Sequence, residues 1–317
     1  MEVGGADGIV PDDIDEVGPD TARTIYERYT GVCDVISPEE ALAMANELRE
    51  HRKDPGRKVM IGVMTHPLAL DPTIPVPSEV RRAITETLPA REQIAEGFIS
   101  DPDVLNTIHY ADLYGPDGPW EAHASPNLLK NLELCVAYGG ENLHAIQLDV
   151  TWPNVDDIDT FKAAHPEVKI ILQLGKFAFQ AADNDPQKVV DMLDMYGDSI
   201  DYVLVDMSMG KGKSMDSEGL LPILRLIQRE LPGLGLAVAG GLGPDSMDPL
   251  KPIADEFPGI SIDAQGRLKP AGTPTDSMGH IVATVPADLG RSRDYIQQSC
   301  TMLDNPKKEP QLAVDSL

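Results

Sequence analysis

The run LAVAGGLGPDSM, residues 236–247, ends an apolar stretch in two adjacent glycines, Gly240 and Gly241. Glycine weakens a strand, so a pair at its end marks a sharp turn or a backbone that a ligand must approach, and phosphate is the usual guest of exposed amide groups. A second loop, DAQGRLKP at 263–270, offers Gly266, with Arg267 and Lys269 as nearby positive charge. A third, MSMGKGKSMD at 207–216, follows Asp206 and reads as a lid over an anion, with Lys213 as the contact and Lys211 as the alternative. Cys33, in GVCDVI, is by itself a small buried hydrophobe. Set across a cavity from Asp206, it becomes one half of a base–acid pair for proton transfer. A different chemistry would gather His66, His109, Asp149 and Asp206 around a divalent cation, although no compact ligand motif marks such a site. Lys176 is a candidate Schiff-base amine but reads more simply as an ordinary charge. Trp120 and Trp152 fall in loops and either border a ligand or pack.

These residues need a frame that brings them to one place. Eight strand-like runs supply it: 31–36, 58–64, 106–113, 143–150, 168–175, 201–207, 234–241 and 259–264. Helical patterns separate them. Ser37, Pro38 and Glu40 give a capped helix start, and Ala41, Met44, Ala45 and Leu48 form its apolar face. Asp185 and Pro186 open another helix that stops at Gly197. A third runs through Ile223, Leu224, Ile227 and Leu231 with Pro222 in its first turn. Most of the strand runs read as apolar on both faces, as parallel strands buried between helices do. The fold class is therefore α/β, a (β/α)8 TIM barrel in one domain. Residues 1–23 form an N-terminal extension, 24–303 the barrel and 304–317 a C-terminal tail, with a long insertion between strands two and three. A doubly wound open sheet is the competitor, disfavoured because no GxGxxG follows the first strand. In a barrel the strand ends form the mouth. This puts Cys33, Asp34, His66, His109, Asp112, Asp149, Lys176, Asp206, the glycine pair and 263–266 at one rim, and the loops after strands seven and eight are the usual phosphate seat.

The ordered set GVCDVISPEEAL, IQLDV, YVLVD, MGKGKSMD, AVAGGLGPDSM and SIDAQGRL resembles the phosphoribosylanthranilate isomerase family of tryptophan biosynthesis, over about residues 31–268. The resemblance implies an Amadori rearrangement of a phosphosugar amine. It implies Cys33 as general base and Asp206 as general acid, with Gly240, Gly241, Gln265 and Gly266 on the phosphate. The chain departs from the family where an Arg after strand two and a His after strand four would meet the anthranilate. The second position is Asp149, carried over as a substrate contact. Asp34 also replaces a glycine beside Cys33, and a neighbouring carboxylate raises a thiol's pKa. Phosphate capture is thus expected to be kept and recognition of the aromatic acid changed.

With 26 Lys and Arg against 52 Asp and Glu, the formal net charge of the 317-residue chain is −26, a surface that repels nucleic acid and anionic membrane. Three well-separated cysteines suit reduced thiols. The start lacks the pattern of a signal peptide and no apolar run spans a bilayer, so a cytoplasmic protein is expected. The expected partner is a small phosphorylated molecule, with no cofactor and no metal. Oligomeric state is not legible. Two further readings remain open: a metal-dependent phosphosugar epimerase or lyase on the same barrel, and a barrel that binds phosphate esters without turning them over.

Overall fold

The structure is a computed structural model describing residues 27–112, 114–115, 118–119, 127–206, 215–274 and 285–304. Eight parallel strands close into a barrel: β1 Arg28–Cys33, β2 Arg57–Thr65, β3 Val104–Ala111, β4 Ala145–Asp149, β5 Lys169–Leu174, β6 Tyr202–Asp206, β7 Gly235–Ala239 and β8 Ser261–Ala264. Each pairs with its sequence neighbours, and β1 joins β8 through Thr30 opposite Ile262 and Gly31 opposite Asp263. This is the (β/α)8 architecture expected from the strand count.

The outer helices are built as the sequence signals suggest. Ser37 accepts a hydrogen bond from the Glu40 amide at 3.2 Å and opens helix α1, Pro38–His51. Its Ala41, Met44, Ala45 and Leu48 are buried against the barrel, and each large apolar side chain contributes roughly 1.5–3 kcal/mol by leaving water. Asp185 caps Pro186–Asp194 through the Gln187 amide at 2.9 Å. Helix Ser217–Glu230 starts earlier than its proline suggests: Asp216 caps it, and Pro222 lies inside the helix, beyond the first turn. The segment between β2 and β3 folds as a short turn of helix, Pro67–Leu70, a helix over Ser78–Thr85 and a 3-10 stretch over Arg91–Gly97. None of the described helices is long and apolar enough to cross a membrane.

The floor of the barrel, at the N-terminal ends of the strands, is locked by a buried ion pair. Arg57, fully buried, donates from Nε to Asp304 at 2.7 Å and from Nη1 to the carbonyls of Tyr29 and Ile260 at 3.3 and 3.2 Å. Asp304, read from sequence as the first residue of a loose tail, is therefore a buried anchor that also accepts from the Lys53 amide.

Inside the barrel the strands are not uniformly apolar, contrary to the sequence reading. The lower interior is filled by Tyr29, Met60, Leu105, Ala145, Ile171, Tyr202, Leu204 and Ala237. Two residues further along each strand brings a side chain to the same face. At these positions β3 carries Thr107 and His109, β4 Gln147 and Asp149, β5 Gln173, β6 Asp206, and β8 Asp263. The upper interior is thus polar, and it opens onto the mouth.

Candidate active site

The mouth encloses a cavity of about 380 Å³. Cys33, Asp34, His66, His109, Asp149, Lys176, Asp206, Gly240, Gly241, Gln265 and Gly266 all line it, so the strand-end logic brings the candidate residues together. Asp112 is the exception. It is buried outside the cavity, with the Tyr110 hydroxyl donating to it at 3.2 Å, and burial pushes its carboxyl up to about 7. Lys211 and Lys213 lie outside the described residues, as does Trp120. Trp152 packs against the core and donates from Nε1 to the Ala178 carbonyl at 2.9 Å, a structural role.

At the bottom of the cavity three donors meet. Cys33 Sγ lies 3.3 Å from His109 Nδ1 and 3.4 Å from Asp263 Oδ1, while His109 Nδ1 and Asp263 Oδ2 are 4.0 Å apart. They come from β1, β3 and β8, and all are at least nine-tenths buried. Two glycines make the room. A Cβ on Gly31 would collide with Asp263 Oδ1, and one on Gly62 would stand 2.7 Å from His109 Nε2. Gln147 completes the layer by donating to Asp263 Oδ2 at 3.4 Å and to Gln173 Oε1 at 2.9 Å. Burial first, then the charges of Asp263 and Asp34, push the Cys33 thiol well above its usual range. Burial also lowers His109, although Asp263 and Asp34 oppose the shift. Cys33 is thus held as a thiol beside a neutral imidazole. Among the described residues, these three are the set of His, Cys and acidic donors lying within 4.8 Å of one another. The sequence reading instead grouped His109 with His66, Asp149 and Asp206. His66 has a local task, capping Pro67–Leu70 by accepting from the Leu68 amide at 3.1 Å.

Nearer the rim, Asp149 and Asp206 end β4 and β6. Burial, and then the charge of Asp206, push Asp149 up to about 7. A carboxyl poised there can give or take a proton at neutral pH.

On the far side, Gly240 and Gly241 have φ of 122° and 65°, values that L side chains rarely adopt. They turn the chain across the cavity edge, facing the loop of Gln265 and Gly266. A side chain already engages part of this seat. Asp34, itself at φ 65°, accepts from Gln265 Nε2 at 3.0 Å and forms an ion pair with Lys269. The cations lining the cavity, among the described residues, are Lys176, Arg267 and Lys269. Arg81, the first arginine after β2, donates to the carbonyls of Leu68, Asp71 and Ile74 and so shapes its own loop.

No family model and no curated protein matches the chain. Solved structures do resemble it. The catalytic domain of a hyperthermophilic chitinase from Pyrococcus furiosus aligns at 12% identity over 89% of this chain and 98% of that one, with a TM-score of 0.49. Tryptophan synthase subunit alpha from Legionella pneumophila aligns at 11% identity over 88% and 93%, with a TM-score of 0.48. Triosephosphate isomerase from Bartonella henselae aligns at 10% identity over 76% and 93%, with a TM-score of 0.43.

Proposed function

We propose that the chain is a proton-transfer enzyme of the isomerase kind, acting on a small phosphorylated sugar-like substrate, in the manner of a divergent relative of the phosphoribosylanthranilate isomerases. The observation that carries this reading is the carboxyl pair at the cavity rim, with Asp149 raised to about 7 beside Asp206. A carboxyl that keeps its proton near neutrality, beside another carboxylate, can divide the roles of acid and base with it. Asp149, which holds its proton near neutrality, takes the acid role, and Asp206, whose negative charge helps to raise it, takes the role of base, the reverse of the part that the family resemblance implies for Asp206. Asp206 thereby stands in place of Cys33 as base, because a buried thiol beside Asp263 and Asp34 is a poor source of thiolate. The glycine turn at 240–241 and the open edge at Gly266, where an added Cβ would meet nothing within 4 Å, support a seat for the ester's anionic end.

The test is turnover of a panel of phosphoribosyl and phosphosugar compounds, including phosphoribosylanthranilate. Asp206→Asn and Asp149→Asn are each expected to lower kcat by about 10²–10⁴-fold, and the limb of the pH profile near neutrality should vanish in Asp149→Asn. Unchanged kcat in both variants, or no binding of any compound in the panel, would sink the reading. A metal-dependent epimerase or lyase on the same barrel is the second reading, favoured by the convergence of Cys33, His109 and Asp263.

A further inference from the structure

We propose that Cys33, His109 and Asp263 form a binding site for a divalent transition-metal cation of the zinc class at the bottom of the cavity, with one coordination position open to the cavity. The site is inferred from its own geometry and does not depend on either reading of turnover.

Donor chemistry comes first. A thiolate, an imidazole and a carboxylate suit zinc and its borderline-soft neighbours and do not suit magnesium or calcium, which favour oxygen alone. The spacing agrees. Zinc–ligand bonds of about 2.0–2.3 Å at tetrahedral angles put neighbouring donor atoms about 3.3–3.6 Å apart. Sγ to Nδ1 is 3.3 Å, Sγ to Oδ1 is 3.4 Å, and Nδ1 to the far carboxylate oxygen is 4.0 Å. The donors sit on three strands of a closed barrel, so their backbone positions are held by the sheet, and Gly31 and Gly62 leave the space that the Asp263 and His109 side chains occupy.

A separate observation points the same way. Gln147 is 3% exposed, lines the same cavity and holds Asp263 through Nε2. Among the described residues its carbonyl oxygen, Oε1, is buried with no hydrogen-bond partner. A buried amide oxygen left without a donor costs stability, and beside this trio a cation, or a water bound to it, would satisfy it. Charge supplies a further reason. Asp206 and Asp263 line the cavity of a chain with net charge −26, and a dication is what such a field attracts. Three protein donors with the cavity above them match the pattern of sites that keep a position for water or a substrate oxygen.

The experiment uses the full chain without a polyhistidine tag, loaded with Zn²⁺ or Co²⁺ and desalted. Expected are one metal per chain and, with Co²⁺, a thiolate-to-cobalt charge-transfer band. Cys33→Ser should abolish that band, while Cys135→Ser and Cys300→Ser should leave it. Gln147→Ala should weaken Zn²⁺ binding roughly 10–100-fold, as loss of an outer-shell partner does. No retained metal in the wild-type chain, or a band that survives Cys33→Ser, overturns the proposal. Should circular dichroism find Cys33→Ser unfolded, X-ray absorption on the metal-loaded wild type decides instead: a metal–sulfur shell near about 2.3 Å supports the site and a shell of nitrogen and oxygen alone refutes it. A chain that binds the metal as described but turns over no phosphosugar would keep this inference and lose the proton-transfer reading.

Discussion

Asp149→Asn is the sharpest probe of the rim, because its effect on stability has a sign and a pH window set by one group. In the folded protein the Asp149 carboxyl titrates at about 7, against a usual value of 3.8 once the chain unfolds. At about 1.36 kcal/mol per pH unit, that gap amounts to about 4 kcal/mol. The direction follows from proton counts. Between the two values the folded state holds a proton that the unfolded state has lost, so stability declines as pH rises and is fully reduced above the folded value. Asparagine stays neutral throughout. The variant should therefore match the wild type below about pH 4, gain on it steadily, and level off above about pH 7, more stable by at most about 4 kcal/mol. The plateau should fall below that ceiling, because Asp149 is only partly buried and water in the cavity screens it. Urea unfolding of both proteins across this pH range gives the difference directly. Asp206→Asn adds a second arm. Burial is the larger cause of the shift and Asp206 the smaller, so removing Asp206 should shrink the amplitude without abolishing it. A wild-type minus variant difference that stays flat with pH would show that Asp149 is ionised like any surface carboxyl, and would strip it of the role of proton carrier.

Further substitutions test the supports of the site. Gly62→Ala places a methyl group 2.7 Å from His109 Nε2; it should displace the imidazole and cost about 1–3 kcal/mol from overpacking, measured by urea unfolding. Asp304→Asn removes the charge opposite buried Arg57 and should destabilise by about 3–5 kcal/mol, seen as a lowered Tm with little change in ligand binding. Gly241→Ala, at φ 65°, should strain the turn by about 1–2 kcal/mol and weaken phosphate-ester binding more than it weakens the fold; equal affinity by calorimetry would remove that turn from the seat. Because Asp149 gains a proton as pH falls, phosphate-ester affinity should rise on acidification through neutrality, until the ester itself protonates.

The fold was legible because its signals are local and repeated. Eight apolar runs, caps such as Ser37 and Asp185, and stops such as Gly197 each need only a few neighbouring residues. The gathering of Cys33, Asp206 and the 240–241 turn followed from one topological rule about strand ends. The floor of the cavity was less visible for a physical reason. His109 and Asp263 lie 154 positions apart in sequence, and nothing in their spacing says that they meet. The signal that was available was strand parity. Counting back in twos from Asp206 gives Leu204 and Tyr202, from Asp149 gives Gln147 and Ala145, and from Cys33 gives Gly31 and Tyr29. That count separates an inner face, apolar below and polar towards the strand ends, from an outer face of Val, Ile and Leu. It also explains Gly31 and Gly62, whose missing side chains make sense only once Asp263 and His109 are known to lie against them. The Asp34–Lys269 pair could not be read at all, since it depends on Asp34 adopting a left-handed backbone conformation.

The proposed substrate is an anion, and four carboxylates line the cavity that would take it. Asp34 is paired with Lys269 and accepts from Gln265, so its charge is held within the wall. Asp149 carries a proton near neutrality because burial and Asp206 make its ionisation costly. Asp263 faces Cys33 and His109, where the proposed cation would offset it. Each of these three acids thus has its own local compensation, of a different kind. An ester arriving at Gly240 and Gly241 would then meet amide groups and a largely neutralised wall, despite the strongly negative surface of the chain. The same logic gives Asp34 a task beside the proposed seat. Its carboxylate engages the donors of the 265–269 loop in the absence of a substrate, and an anion that binds more strongly could compete for them without leaving Lys269 or Gln265 unpaired. In this view the acidic character of the cavity does not oppose phosphate binding, because it keeps those donors ordered and in place until the substrate's own oxygens take over.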